Sequence, residues 1–66
     1  MKVVLNGTER EIAVGATLAA LLEETNAPFS AVAVARNDEI VSRSDLHVTV
    51  VRDGDRIEII KAVAGG

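Results

Sequence analysis

The chain contains no cysteine in 66 residues, and that absence removes disulfides, thiolate nucleophiles, zinc fingers and CxxC redox chemistry together. Tryptophan and tyrosine are also missing and Phe29 is the single aromatic residue, so any core must be aliphatic. Charge of one sign is not concentrated anywhere. Seven basic and ten acidic residues, net −3, are scattered along the chain, leaving no basic stripe to neutralise phosphates. Nucleic acid is therefore not an expected partner. No apolar run approaches the roughly 20 residues of a membrane span, and no charged n-region with an apolar h-region opens the sequence. A soluble, cytoplasmic protein with no membrane association is the expectation. A phosphate-cradling glycine loop is lacking too, since Gly7, Gly15 and Gly54 stand singly.

What is present is 48% hydrophobic, mostly Val, Ala, Ile and Leu, which predicts one compact domain rather than disorder. "KVVLNGTEREIAV" reads as two extended runs joined by Asn6-Gly7, the dipeptide suited to a type I′ hairpin turn. Val3 and Leu5 share one face of the first run, and Ile12 and Val14 one face of the second. After Gly15, the spacing of Leu18, Leu21, Leu22 and Thr25 predicts a helix over Thr17 to Thr25, with Thr17 as N-cap. Asn26 and Pro28 end it. "SAVAVARN" suits a strand covered on much of both faces, Asn37-Asp38 a turn before "EIV", and "SRSDLHV" is the least readable stretch. "TVVRDGDRIEII" gives a brief extended piece, a turn at Asp53-Gly54-Asp55 and a last strand with Ile57 and Ile59 on one side. The order β-β-α-β-β-β predicts an α+β fold: a mixed sheet packed on one main helix, with the last strand parallel to the first. That is the β-grasp arrangement, and it projects the C-terminus from the end of a central strand.

Few residues inside such a fold invite chemistry. Asp53-Gly54-Asp55 offers two carboxylates where Ca²⁺ takes six to eight oxygens, so a structural turn is expected. Ser42, Ser44, Asp45 and His47 follow one another in a loop, where triad members rarely converge. Glu23 and Glu24 read as a solvated helix face. No catalytic residue and no metal site are expected.

The sequence closes on "KAVAGG", with its only adjacent glycines at Gly65 and Gly66. One reading is a frayed terminus. The other makes the Gly66 carboxylate the reacting group: without Cβ, the last residues can thread a narrow channel and let a partner's groups approach the backbone. A free carboxylate is a poor electrophile, whereas its mixed anhydride with AMP carries a leaving group that a sulfur nucleophile can displace.

Taken together, "KVVLNG", "VGATLAALLEE", "VAVARNDEIV", "VRDGDRIEIIKAV" and "AGG" run through nearly the whole chain in order. They resemble the ThiS family of small sulfur carriers, in the ubiquitin-like β-grasp superfamily. The resemblance implies that Gly66 is adenylated by an ATP-using, ubiquitin-activating-like adenylyltransferase, converted to a thiocarboxylate, and presented to thiazole synthase for thiamine biosynthesis. It implies no bound cofactor, ATP being consumed by the activating partner, and no enzymatic activity of the chain itself. Residues 1–63 would form the β-grasp domain and 64–66 a flexible tail, with Gly65 and Ala64 threading into the partner. Val4 and Ile60, expected to face outward on neighbouring strands beside the tail, form a possible partner patch. The small subunit of molybdopterin synthase shares the Gly-Gly end and a DGD-like turn, and a ubiquitin-like modifier would use the same terminus; both are alternatives.

Overall fold

In the computed structural model, which describes residues 1–25 and 32–61, Asn6 and Gly7 adopt φ of 49° and 82°, the left-handed pair that a type I′ turn requires. They join β1 (Lys2–Leu5) to β2 (Thr8–Glu11), with Leu5 opposite Thr8. Val3 and Leu5 are buried, as the alternation predicts, whereas every residue of β2 is exposed. The expected shared face of Ile12 and Val14 does not form. Ile12 is buried just beyond β2 and exchanges backbone hydrogen bonds with Met1, its N–H donating at 2.9 Å and its carbonyl accepting at 3.0 Å. Val14 is 86% exposed, because the chain reverses there: Ala16 N–H donates to the Ala13 carbonyl at 3.2 Å, with Gly15 at a φ of 89°.

The helix α1 (Leu18–Glu24) begins where the sequence places it. Thr17 is extended, and its hydroxyl oxygen accepts from the Ala20 N–H at 3.2 Å. The other two N–H groups of the first turn, which an isolated helix leaves unpaired, donate to a distant loop: Leu18 to the Thr49 carbonyl and Ala19 to the Leu46 carbonyl, both at 3.0 Å. So Leu46, in the stretch least readable in sequence, and Thr49 just after it complete the helix start. A 3₁₀ turn at Arg43–Asp45 aims that loop, and Leu46 anchors it in the core. The stop signals Asn26 and Pro28 lie outside the described residues.

β3 (Val32–Arg36) and β4 (Glu39–Val41) form a second two-residue hairpin, with Asn37 and Asp38 at φ of 50° and 70°. β5 (Arg56–Lys61) completes a sheet of order β2-β1-β5-β3-β4, in which β1 and β5 are parallel and the other pairs antiparallel. This is the mixed β-grasp sheet expected from the sequence. Leu18, Leu21 and Leu22 of α1, each 1% exposed, pack with Val3, Leu5, Val34, Ile57 and Ile59. Burying a leucine side chain contributes about 2 kcal/mol, so these three anchor a small core. β3 is covered on both faces only in part: Val34 and Ala35 are buried but Ala33 is exposed, since one helix covers one side of the sheet.

Asn6 does two jobs, holding a left-handed backbone and accepting the Ile59 N–H on its side-chain oxygen at 2.8 Å. Asn6→Ala is expected to cost about 2 kcal/mol, from backbone strain plus a lost hydrogen bond. Asn6→Gly, which relieves the strain, is expected to cost about 1 kcal/mol. Urea unfolding of both variants checks the split.

Candidate functional site

Asp53-Gly54-Asp55 is a structural turn. The Asp53 carboxylate accepts the Lys2 N–H at 2.8 Å, and Gly54 N–H donates to the Lys2 carbonyl at 2.7 Å, so the turn clips onto the start of β1. Asp55 is 6% exposed and carries the buried charge of the core's rim. Its carboxylate accepts from Arg36 Nε at 2.9 Å, Asn37 Nδ2 at 3.1 Å and the Arg52 N–H at 2.9 Å. Burial by itself raises the Asp55 pKa, but the Arg52 N–H, the Asn37 amide and the Arg36 charge outweigh it and hold the carboxyl below its ordinary value. With these oxygens already engaged, the turn offers no cation site. Among the described residues no three His, Asp or Glu side chains gather as a metal would require.

The other cluster is equally occupied. Ser42 Oγ donates to the Asp45 carboxylate at 2.9 Å and lies 3.3 Å from Ser44 Oγ, which brackets the 3₁₀ turn instead of activating a nucleophile. Glu23 and Glu24 are exposed on α1, as a solvated face should be.

What remains is the root of the tail. β5 lies between β1 and β3, and Ile60, near its end, is 51% exposed on the side of the sheet away from the helix. Ala64, Gly65 and Gly66, with the proposed boundary at residue 63, lie outside the described residues. Val4 is on the same side but half-buried, and it stands level with the start of β5, not its end. The parallel register sets Val4 opposite Arg56, four residues back from Ile60, a separation of about 13 Å along the strand. The single patch expected from Val4 and Ile60 is therefore divided. Ile60 instead neighbours Ala33, its cross-strand partner, and Ile40, 68% exposed, stands opposite Ala35 on the same face. Only strand order relates Ile40 to Ile60, since β3 stands between β4 and β5.

The ThiS family model matches residues 3–66. The chain belongs to the ThiS family. Over its full length it is 33% identical to the sulfur carrier protein ThiS of Escherichia coli, covering all of that protein. It is 44% identical over 66 residues to a thiazole synthase of Paramagnetospirillum magneticum, of which it spans 20% of the length. The crystal structure of the thiamine biosynthesis protein ThiS of Geobacter metallireducens superposes with a TM-score of 0.86 at 29% identity, covering all of both chains. The ubiquitin-like β-grasp assignment thus rests on both strand order and a solved relative. Within this ThiS-family fold, Arg36 and Asn37 at one turn and Arg52 and Asp55 at the next build the buried Asp55 network.

Because the folded-state pKa of Asp55 is depressed, its contribution to stability is present above the ordinary carboxylate value near 3.8 and is lost as pH falls through the lower folded value. Asp55→Asn is expected to lower stability at neutral pH by about 2 kcal/mol, the worth of hydrogen bonds to a charged group. Below pH of about 4 the deficit should shrink as the wild-type carboxyl protonates, which urea titrations at several pH values will show.

Proposed function

We propose that this chain is a sulfur carrier of thiamine biosynthesis, a co-substrate whose fold is a handle for its C-terminal glycine. The observation that carries the reading is the end-to-end similarity to a sulfur carrier in a chain that closes on Gly65-Gly66 after a central strand. The absence of cysteine agrees with it, since the sulfur then rides on the carboxyl carbon.

In the proposed reaction, the Gly66 carboxylate attacks the α-phosphorus of ATP in an adenylyltransferase and pyrophosphate leaves. A sulfide-level nucleophile next attacks the acyl carbon, AMP departs, and a thiocarboxylate remains. That activation makes the difference, because the acyl carbon of a mixed anhydride, bonded to AMP as a leaving group, accepts a nucleophile far more readily than a carboxylate carbon does. The thiocarboxylate then donates its sulfur to thiazole synthase for thiazole formation. Gly65 and Ala64 are small enough to follow Gly66 into a narrow channel. Val4 and Ile60 stay on the side of the sheet that a partner would meet, with Ile60 nearer the tail.

The chain's composition supplies a clean assay. With no cysteine present, a thiol-alkylating reagent labels only a thiocarboxylate, which distinguishes it from Met1 oxidation of nearly equal mass gain. Incubation with the activating enzyme, ATP and sulfide is expected to yield one alkylated site, at Gly66, by intact-mass and fragment spectrometry. No label despite active enzyme would overturn the carrier reading, and one residue appended after Gly66 should abolish labelling with the fold intact. Ile60→Asp is expected to raise the KM of the activating enzyme for the carrier about tenfold through a lost apolar contact, with kcat and unfolding midpoint little changed.

A further inference from the structure

β5 outlasts β1. Their parallel pairing ends with Leu5 opposite Ile57, because the chain reverses at Asn6 and Gly7, whereas β5 stays in register with β3 as far as Lys61 opposite Val32. The last bonds on the β1 side are from Asn6 N–H to the Ile57 carbonyl at 2.9 Å and from Ile59 N–H to the Asn6 side-chain oxygen at 2.8 Å. Peptide groups of successive strand residues point to alternate sides. Residues 57, 59 and 61 therefore address β1, and residues 56, 58 and 60 address β3, in keeping with the 2.8 Å bond from Asn37 N–H to the Arg56 carbonyl. Past Asn6, the Ile59 carbonyl and the Lys61 N–H face the side that β1 has left, and no strand among the described residues pairs with them.

We infer that this open edge at Ile59–Lys61 is a strand-addition site for an extended segment of thiazole synthase. An unpaired edge is a template for another strand. The sheet's two outer edges are guarded differently: β2 exposes Glu9, Arg10 and Glu11, and β4 is only three residues long. The open stretch of β5 is as short as β4 and ends on a lysine, but unlike the two outer edges it lies immediately before the segment that leads to Gly66. The occupant follows from the proposed function, on which this inference rests, and from the Paramagnetospirillum magneticum thiazole synthase, a protein that is similar to all 66 residues over a fifth of its own length. In that protein the β-grasp unit shares one polypeptide with the rest of the synthase, which places any extended segment of it at high effective concentration. Pairing at Lys61 would also fix the direction of the five residues that follow, which reach about 17 Å when extended. A strand added here acts as a ruler for the position of Gly66.

Lys61→Pro tests this, because proline deletes only the N–H that faces the open side and is tolerated at strand edges. Lys61→Ala controls for the side chain. Binding to thiazole synthase by titration calorimetry is expected to be about tenfold weaker for Lys61→Pro than for wild type or Lys61→Ala, the effect of about one backbone hydrogen bond. Hydrogen exchange on the wild-type chain should show the Lys61 amide exchanging fast when free and slowly in the complex, a readout that stands even if the proline variant fails to fold. Equal affinities for the proline and alanine variants, or a Lys61 amide that stays unprotected in a wild-type complex, would overturn strand addition and leave the carrier function standing. Failure of the wild-type chain to bind thiazole synthase would overturn both.

Discussion

Val4 and Leu5 lie in parallel register with Arg56 and Ile57, so residues from opposite ends of the sequence are locked together in the middle of the sheet, and the remaining elements are placed by that lock. Closing so long a loop costs conformational entropy before any contact offsets it, and the offset is concentrated around Asp53 and Asp55. Asp53 takes the Lys2 N–H, Gly54 reaches the Lys2 carbonyl and the Asp55 carbonyl takes the Val4 N–H. The Asp55 carboxylate meanwhile ties the β3–β4 turn to the same point through Arg36 and Asn37. A buried charge is costly unless fully partnered, and here three donors surround it, so the same carboxylate that joins the strands also penalises any packing that separates them.

That lock has a functional side. Putting β5 in the centre of the sheet gives its first residues a neighbour on each flank, β1 as far as Ile57 and β3 as far as Lys61. Asn6 sets where the rigidity ends on one flank, by closing the β1 ladder with its own side chain at Ile59. From that residue on, β3 is the strand that pairs with β5 among the described residues. The exposed strip of Ile60, Ala33 and Ile40 lies on the face that the single helix leaves uncovered.

Local signals in this chain were read well where the physics is local. Asn6-Gly7 and Asn37-Asp38 are dipeptides whose backbone preferences select tight hairpins without help from the rest of the fold, and Thr17 caps the helix through a bond three residues away. Alternation identified Val3, Leu5, Ile57 and Ile59 as inward-facing. Reading failed at Val14, where one glycine turns an apparent strand continuation into solvent. The service of Leu46 and Thr49, whose carbonyls accept from N–H groups of a helix more than twenty residues earlier, was also not legible. No periodicity encodes that service, because the loop's own side chains do not perform it.

The sequence by itself determined the two hairpins, the start of the helix, and the inward faces of β1 and β5. Those features follow from backbone preference, side-chain period and residue type, all of which act over a few residues. The tertiary structure alone decided which outward residues are neighbours: the parallel register set Val4 far from Ile60, strand order brought Ile40 toward Ile60 across Ala33 and Ala35, and the early reversal of β1 left the end of β5 open on one side. Register depends on how a whole strand fits its partners and its helix, a sum over contacts from both ends of the chain that no short stretch contains.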